Sequence, residues 1–210
     1  MRQRNVKNKD EIIERCGRYI VSDPCELKGR WRQQYVRPGE LFLEIGSGKG
    51  RFIVSMAQAF PDRNFIAVEG GLNVAVRILE KAEAAGVDNL LVAMQYVENV
   101  CDWFGDGEVD GIYLHFSDPW PKARHAKRRL THRERLARYR RIASPAAKLY
   151  FKTDDAAFFD FSLEEFAAAG LTAQSGGDDP HGACTTEYED RAVRAGLDIH
   201  RVQMELHPGR

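Results

Sequence analysis

From residue 41 onward, short apolar runs alternate with helix-length amphipathic stretches, and this alternation constrains the fold more than any other feature. LFLEI (41–45) reads as a buried strand. A glycine loop from Gly46 to Gly50 then leads into RFIVSMAQAF (51–60), a helix stopped by Pro61. NFIAVE (64–69), NLLVAM (89–94), VDGIYLHF (109–116) and AKLYFK (147–152) read as further strands. Helices are expected over 72–85, around 98–104, over 131–142 with Thr131 as cap, and over 156–169. LTAQS (171–175) and LDIHRVQMEL (197–206) bring the strands to seven. Such alternation builds right-handed βαβ units and a mostly parallel sheet with helices on both faces. Only a loop and a short helix are expected between the last two strands, which predicts an antiparallel C-terminal edge hairpin. Ligands of such α/β sheets bind beyond the carboxyl ends of the strands, near the point where strand order reverses.

Ahead of the alternation, Ile12, Ile13, Cys16, Tyr19 and Ile20 recur at helical steps, so one helix is expected over 9–20. Pro24, Gly29 and Pro38 make 21–39 irregular. Residues 1–37 are read as a basic extension and 38–210 as the main domain. The first twenty residues lack the apolar centre of a signal peptide, and no apolar run is long enough for a membrane span. Cys16, Cys25, Cys101 and Cys184 are too scattered for a zinc site. A cytoplasmic protein with reduced thiols, no metal and no membrane contact is expected; it is read as a monomer or homodimer.

Net charge is zero, but the charge is not evenly spread. Residues 122–141 hold ten Lys/Arg against one Asp/Glu, and residues 1–37 hold ten against five. Two basic blocks frame an acidic middle. Concentrated Lys and Arg attract phosphate whatever the overall charge, and solvated basic helices carry the same composition.

The loop Glu44-Ile45-Gly46-Ser47-Gly48-Lys49-Gly50 is neither a Walker A loop nor a dinucleotide fingerprint, since Arg51 stands where the third glycine would fall. Glu44 just ahead of it suits a ligand bearing an ammonium group. Glu69 ends the second strand, where a carboxylate can accept both hydroxyls of a ribose. A nucleoside cofactor without a pyrophosphate fits both acids, and S-adenosyl-L-methionine has that chemistry. To this point the chain resembles the class I S-adenosylmethionine-dependent methyltransferases, whose fold is Rossmann-like.

Residues 115–130 read HFSDPWPKARHAKRRL. Two prolines stiffen Asp-Pro-Trp-Pro, and a rigid loop at a strand's carboxyl end can hold Asp118 and Trp120 over a cofactor. The window resembles the signature of the bacterial tRNA (guanine-N7)-methyltransferases, F-[PS]-D-P-W-P-K-x-R-H-x-K-R-R-L. MRQRNVKNK, FLEIGSGKG, Phe151-Lys152-Thr153-Asp154 and Thr186-Glu187-Tyr188-Glu189 resemble further elements of that family in the same order.

The resemblance implies methyl transfer from S-adenosyl-L-methionine to guanine N7 in tRNA, at the variable-loop guanine, position 46. It implies that Glu44, Gly46, Gly48, Gly50 and Glu69 hold the cofactor, and that Asp118 is the acidic residue at the reaction centre. Lys122, Asp154, Thr186 and Glu189 match substrate-contacting positions. Arg124, His125, Lys127, Arg128 and Arg129 match the RNA-contacting stretch. Tyr96 stands where the family often has Asp or Asn near the adenine, and it is included as a cofactor neighbour that could stack. Ala123 and Ala126 replace longer polar side chains. Asp118 could accept from a guanine N–H, accept from the cofactor's ammonium, or favour charge developing on the purine. Other readings are a methyltransferase acting on another RNA base or on protein, and a non-catalytic RNA-binding module.

Overall fold

A computed structural model describes residues 6–174 and 184–207. Strands β1 (Leu41–Ile45), β2 (Asn64–Val68), β3 (Leu90–Ala93), β4 (Val109–His115), β5 (Ala143–Thr153) and β6 (His200–Glu205) form one sheet in the order β3-β2-β1-β4-β5-β6. All neighbours are parallel except β5 and β6, which are antiparallel. The helices are α1 (Lys9–Arg15), α2 (Arg51–Ala59), α3 (Leu72–Ala85), α4 (Val100–Trp103), α5 (Arg133–Ile142), α6 (Ala156–Ala168) and α7 (Glu187–Arg194). Solvent is excluded from both faces of β1, whose five residues are all buried, as a central parallel strand requires.

Side-chain alternation along β1 sends Leu41, Leu43 and Ile45 into one core cluster and Phe42 into the other. The first cluster adds Trp31, Phe104, Leu136, Tyr139, Phe151, Phe158 and Phe166; the second adds Ile12, Phe52, Met56, Ile78 and Leu79. The segment before β1 belongs to both clusters. Ile12, Cys16 and Tyr19 pack in the second and Trp31 and Tyr35 in the first, while Ile20 bridges to Val92 beside the sheet. Glu108 anchors this segment. Its carboxylate accepts the backbone N–H of Gly29 (2.9 Å), Trp31 (2.9 Å) and Gly105 (2.8 Å). Glu108→Ala is expected to cost about 2–3 kcal/mol, since it orphans backbone donors in a half-buried turn. Urea unfolding checks it, and a loss under ~1 kcal/mol would show that water replaces the carboxylate there.

Six strands are formed, not seven. LTAQS is reduced to one antiparallel bridge, Gln174 to Gln203; Ser175 lies outside the described residues. The start of that segment is consumed in closing α6. Gly170 takes φ +71°, its N–H reaches Ala167 O, and Leu171 N–H reaches Phe166 O. This is a C-terminal cap that uses the donor a strand would need. The antiparallel edge exists nonetheless, as β5 against β6. Two helices are also shorter than their patterns. Residues 9–20 divide into α1 and a 3-10 turn, Gly17–Tyr19. α5 is capped by His132, whose ring accepts from Glu134 N at 3.3 Å, while Thr131 is buried and paired with Ser162 at 2.8 Å.

Among the described residues no helix is long and apolar enough to cross a membrane, and no group of three or more His, Cys, Asp or Glu could hold a metal ion.

Candidate active site

The chain runs β1, β2, β3 to one edge and returns to β4 beside β1, so strand order reverses between β1 and β4. Parallel pairing of Glu44 with Tyr113 sets their carboxyl ends side by side. The glycine loop lies at one of these ends and the Asp-Pro-Trp-Pro loop at the other.

The glycine loop folds back on β2, with the N–H groups of Gly46 and Ser47 donating to Val68 O at 2.8 and 3.0 Å. Gly50 caps α2 at φ +78°, and a Cβ there would fall 2.7 Å from the Ile78 side chain, so glycine lets α2 seat against α3. Glu69 spans the loop from the end of β2. Its Oε2 accepts Gly48 N–H at 3.0 Å and its Oε1 accepts Gly71 N–H at 2.8 Å. Burial raises its pKa, and those two N–H groups oppose the rise. Tyr96, largely exposed, lays its ring over Gly70 next to Glu69: a Cβ on Gly70 would lie 2.3 Å from that ring.

Glu44 shares its face of β1 with Phe42, which places a carboxylate where an apolar side chain would normally pack. It is 2% exposed, and its Oε2 has no hydrogen-bond partner among the described residues. Burial pushes its pKa up to about 8; Ser47 opposes the rise, and the charges of Glu187 and Glu69 add to it. A buried acceptor without a donor is costly, so this position suits a cationic hydrogen-bond donor arriving with a ligand.

Beyond β4, Phe116 (φ +51°) and Trp120 (φ +43°) are the non-glycine residues at positive φ among the described residues. Bulky side chains rarely hold that conformation, and such strain clusters at functional sites. Asp118 lies between them, exposed, with Oδ1 accepting Trp120 N–H at 3.2 Å. Ser117 Oγ is buried without a hydrogen-bond partner among the described residues. Lys122 and Arg124 are exposed. Residues Ala123–Arg128 form a 3-10 helix. His125 meets the Trp120 ring edge-on at 5.6 Å and receives Arg124 Nε at 3.3 Å. The Arg128 guanidinium lies 4.8 Å from the centroid of Trp120. Lys127 pairs with Glu134 at 2.7 Å. Arg129 turns inward, donating to Pro119 O at 2.8 Å and Trp120 O at 3.1 Å.

Much of the remaining basic block has partners within the chain. Arg133 pairs with the buried Glu165 at 2.7 Å and holds its pKa down. Arg141 pairs with Asp106, Arg140 reaches Ala169 O, and Arg138 reaches Glu98 O at 3.1 Å. The exposed cations nearest Asp118 are Lys122, Arg124, Lys127 and Arg128; Arg133 and Arg141 are exposed as well, but each is paired with a carboxylate.

α7 meets this region from the far end of the chain. Thr186 caps it, Oγ1 accepting Glu189 N–H at 2.9 Å. The T-x-x-E spacing matches a capping box, but the Glu189 carboxylate goes to Lys152 Nζ on β5 at 3.5 Å, both side chains being buried. Glu187 pairs with Lys81 at 2.6 Å, Lys81 also reaches Lys49 O, and Asp190 pairs with Arg51. These contacts bring α7 to β5, α3 and the end of the glycine loop. Asp154 follows β5 and is exposed. Sequence reasoning did not single out Lys152, Arg51 or Lys81. Only Lys152 had a signal, its place in FKTD; the partners of the other two are set by tertiary contact.

Residues 38–202 match a family model described as "Putative methyltransferase". Across 99% of both chains, this one is 38% identical to a protein of Exiguobacterium sp. named tRNA (guanine-N(7)-)-methyltransferase. A Streptococcus pneumoniae protein of the same name is 38% identical over 98% of this chain and 100% of its own. Among solved structures, an antibiotic-related methyltransferase superposes with TM-score 0.59 at 16% identity, covering 97% of this chain and 96% of that one. A 16S rRNA (adenine(1408)-N(1))-methyltransferase variant from Catenulisporales acidiphilia, solved with its cosubstrate SAM, gives TM-score 0.55 at 18% identity over 90% and 94% of the two chains. At these identities the structural likeness speaks for the fold.

Proposed function

The chain belongs to the tRNA (guanine-N7-)-methyltransferases, and from that premise we propose how its own residues carry the reaction. It transfers a methyl group from S-adenosyl-L-methionine to N7 of a guanine in tRNA, and the variable-loop guanine at position 46 is the target. Relatedness over the full chain carries this reading, joined to the strained Asp118 loop beside the glycine loop.

The residues present fit the cofactor. The unpartnered Oε2 of Glu44 can accept from an ammonium. Glu69 keeps lone pairs for two ribose hydroxyls after accepting Gly48 and Gly71, since a carboxylate offers about four acceptor sites. Tyr96 presents an exposed ring at the adenine side. When bound, S-adenosylmethionine supplies the methyl group on a sulfonium.

Guanine N7 carries an in-plane lone pair that is unprotonated near neutral pH, so the chain need supply no general base. Total charge is unchanged as the methyl moves, so catalysis falls to alignment, where effective molarity supplies up to ~7–11 kcal/mol. Asp118 does not bond N7, because both are acceptors. It serves by accepting a guanine N–H or by favouring positive charge on the purine. We assign the unstacked guanine to Lys122, Asp154, Thr186 and Glu189, and the phosphates beside it to residues 122–128.

The direct test incubates the protein with unmodified tRNA and labelled cofactor, then digests the RNA. Label in 7-methylguanosine at position 46 is expected; label on another base, on protein or nowhere on RNA would overturn the reading. Binding should weaken steeply with salt. Arg124→Ala with Arg128→Ala should reduce the slope of log K against log salt by roughly 1.5, at ~0.7–0.9 per phosphate. An unchanged slope would place this stretch away from the RNA.

A further inference from the structure

Arg129 falls in a run of cations that the sequence assigns to RNA, but its geometry is that of an internal strut. Nε donates to Pro119 O at 2.8 Å and Nη2 to Trp120 O at 3.1 Å. The guanidinium also lies 4.0 Å from the centroid of Phe161 and 6.0 Å from that of Phe158, both on α6. Phe158 is in the core. Arg129 thus ties the loop after β4 to a helix packed on the sheet.

The loop needs such a tie. Trp120 holds φ +43°, a strained conformation for a bulky residue that persists only where surrounding contacts impose it. Both of its peptide groups are held: Asp118 Oδ1 takes the N–H at 3.2 Å and Arg129 takes the C=O at 3.1 Å. Pro119, between them, is held by the same guanidinium. Asp118, Pro119, Trp120 and Arg129 therefore form one unit, with Asp118 at its exposed end. By contrast, Arg124 and Arg128 are exposed, and Arg128 touches the loop only through the face of the Trp120 ring.

We propose that Arg129 is a positioning residue for the methyl transfer, fixing the backbone that aims Asp118, rather than a phosphate contact. The inference rests on Asp118 acting at the reaction centre as argued above. A planar fork with two parallel donors and an aromatic-facing surface is what this position uses, and lysine supplies neither.

The test compares Arg129→Lys and Arg129→Gln with wild type. Expected is a fall in kcat of at least tenfold at saturating tRNA, with KM for tRNA within twofold of wild type and the salt slope of binding unchanged. Phe161→Leu, which keeps the donors and removes the ring beneath them, should lower kcat a fewfold with the same unchanged slope. It decides the matter if the Arg129 variants do not fold. A slope smaller by about 0.7–0.9 with kcat retained would make Arg129 a phosphate contact and overturn the proposal. So would an unchanged kcat in all three variants. Limited trypsin digestion of the same proteins without RNA gives a readout independent of activity. Cleavage after Lys122, Lys127 and Arg128 should be faster in Arg129→Gln than in wild type or Arg124→Gln. Faster cleavage in a protein that never methylates tRNA would sink the assigned reaction and keep the strut; equal cleavage would sink the strut itself.

Discussion

Asp118→Ala is expected to lower kcat by 100- to 1,000-fold, about 3–4 kcal/mol of barrier, while tRNA affinity stays within a few-fold. The separation follows from where the charges lie. On the proposed reading phosphate attraction falls to the exposed cations of 122–128, whereas Asp118 contributes one exposed carboxylate. Alanine removes two things at once: that charge, and the acceptor that holds Trp120 N–H at 3.2 Å. Asp118→Asn separates them, because an amide oxygen can still accept from Trp120. If the charge is what serves the purine, the asparagine variant stays nearly as defective as the alanine one. Recovery to within tenfold of wild type would show that Asp118 acts only by shaping the loop. Single-turnover methylation with bound tRNA measures the step directly, so that product release does not mask it.

Glu44→Gln should give the second large effect, with opposite signs on stability and on cofactor binding. With a pKa near 4.5 when unfolded and about 8 when folded, Glu44 keeps its proton in the native state over a range where the unfolded chain has lost it. The native state then binds more protons, so stability is greatest below pH ~4.5, falls as pH rises through that window, and levels off above ~8. The loss is on the order of 4–5 kcal/mol relative to a residue that does not titrate. Urea unfolding of wild type and Glu44→Gln without cofactor should therefore diverge steadily from pH 5 to pH 8.5, the glutamine variant becoming the more stable. Parallel curves would mean that Glu44 is solvated and titrates normally. Cofactor affinity should move the other way, falling at least tenfold in the variant. An ammonium that meets the carboxylate favours its charged form, so wild type should release up to one proton on binding below pH 8 and the variant none. Calorimetry in buffers of different ionisation heat reads that proton.

The sheet was legible in the sequence because its signals are local. β1, β2 and β4 are apolar runs bounded by glycine, proline or Asn, and α3 ends where Gly86 takes φ +65°. Glu44, Glu69 and Asp118 could be placed from sequence because in an α/β fold a residue at a strand's carboxyl end lies at the ligand crevice whatever its distant neighbours do. The expected strand at 171–175 was not formed, because its β pattern competes with the capping of α6 for the Leu171 N–H. That competition depends on how α6 ends.

Charge pairing was not legible at all. Arg129 and Arg128 are neighbours of one type in one run, yet one is turned onto Phe161 and two carbonyls while the other faces outward over Trp120. The TEYE segment resembles a capping box, but its last carboxylate reaches Lys152 across the fold. Local pattern alone specifies where the chain must turn, roughly where strands end, and that cations cluster after Asp118. The folded chain selects which of those cations bond internal carbonyls and acids and which stay exposed. Backbone periodicity and turn chemistry act within a few residues, whereas a charged side chain takes whichever partner the folded chain brings within about 3 Å, and that partner can lie anywhere in the sequence.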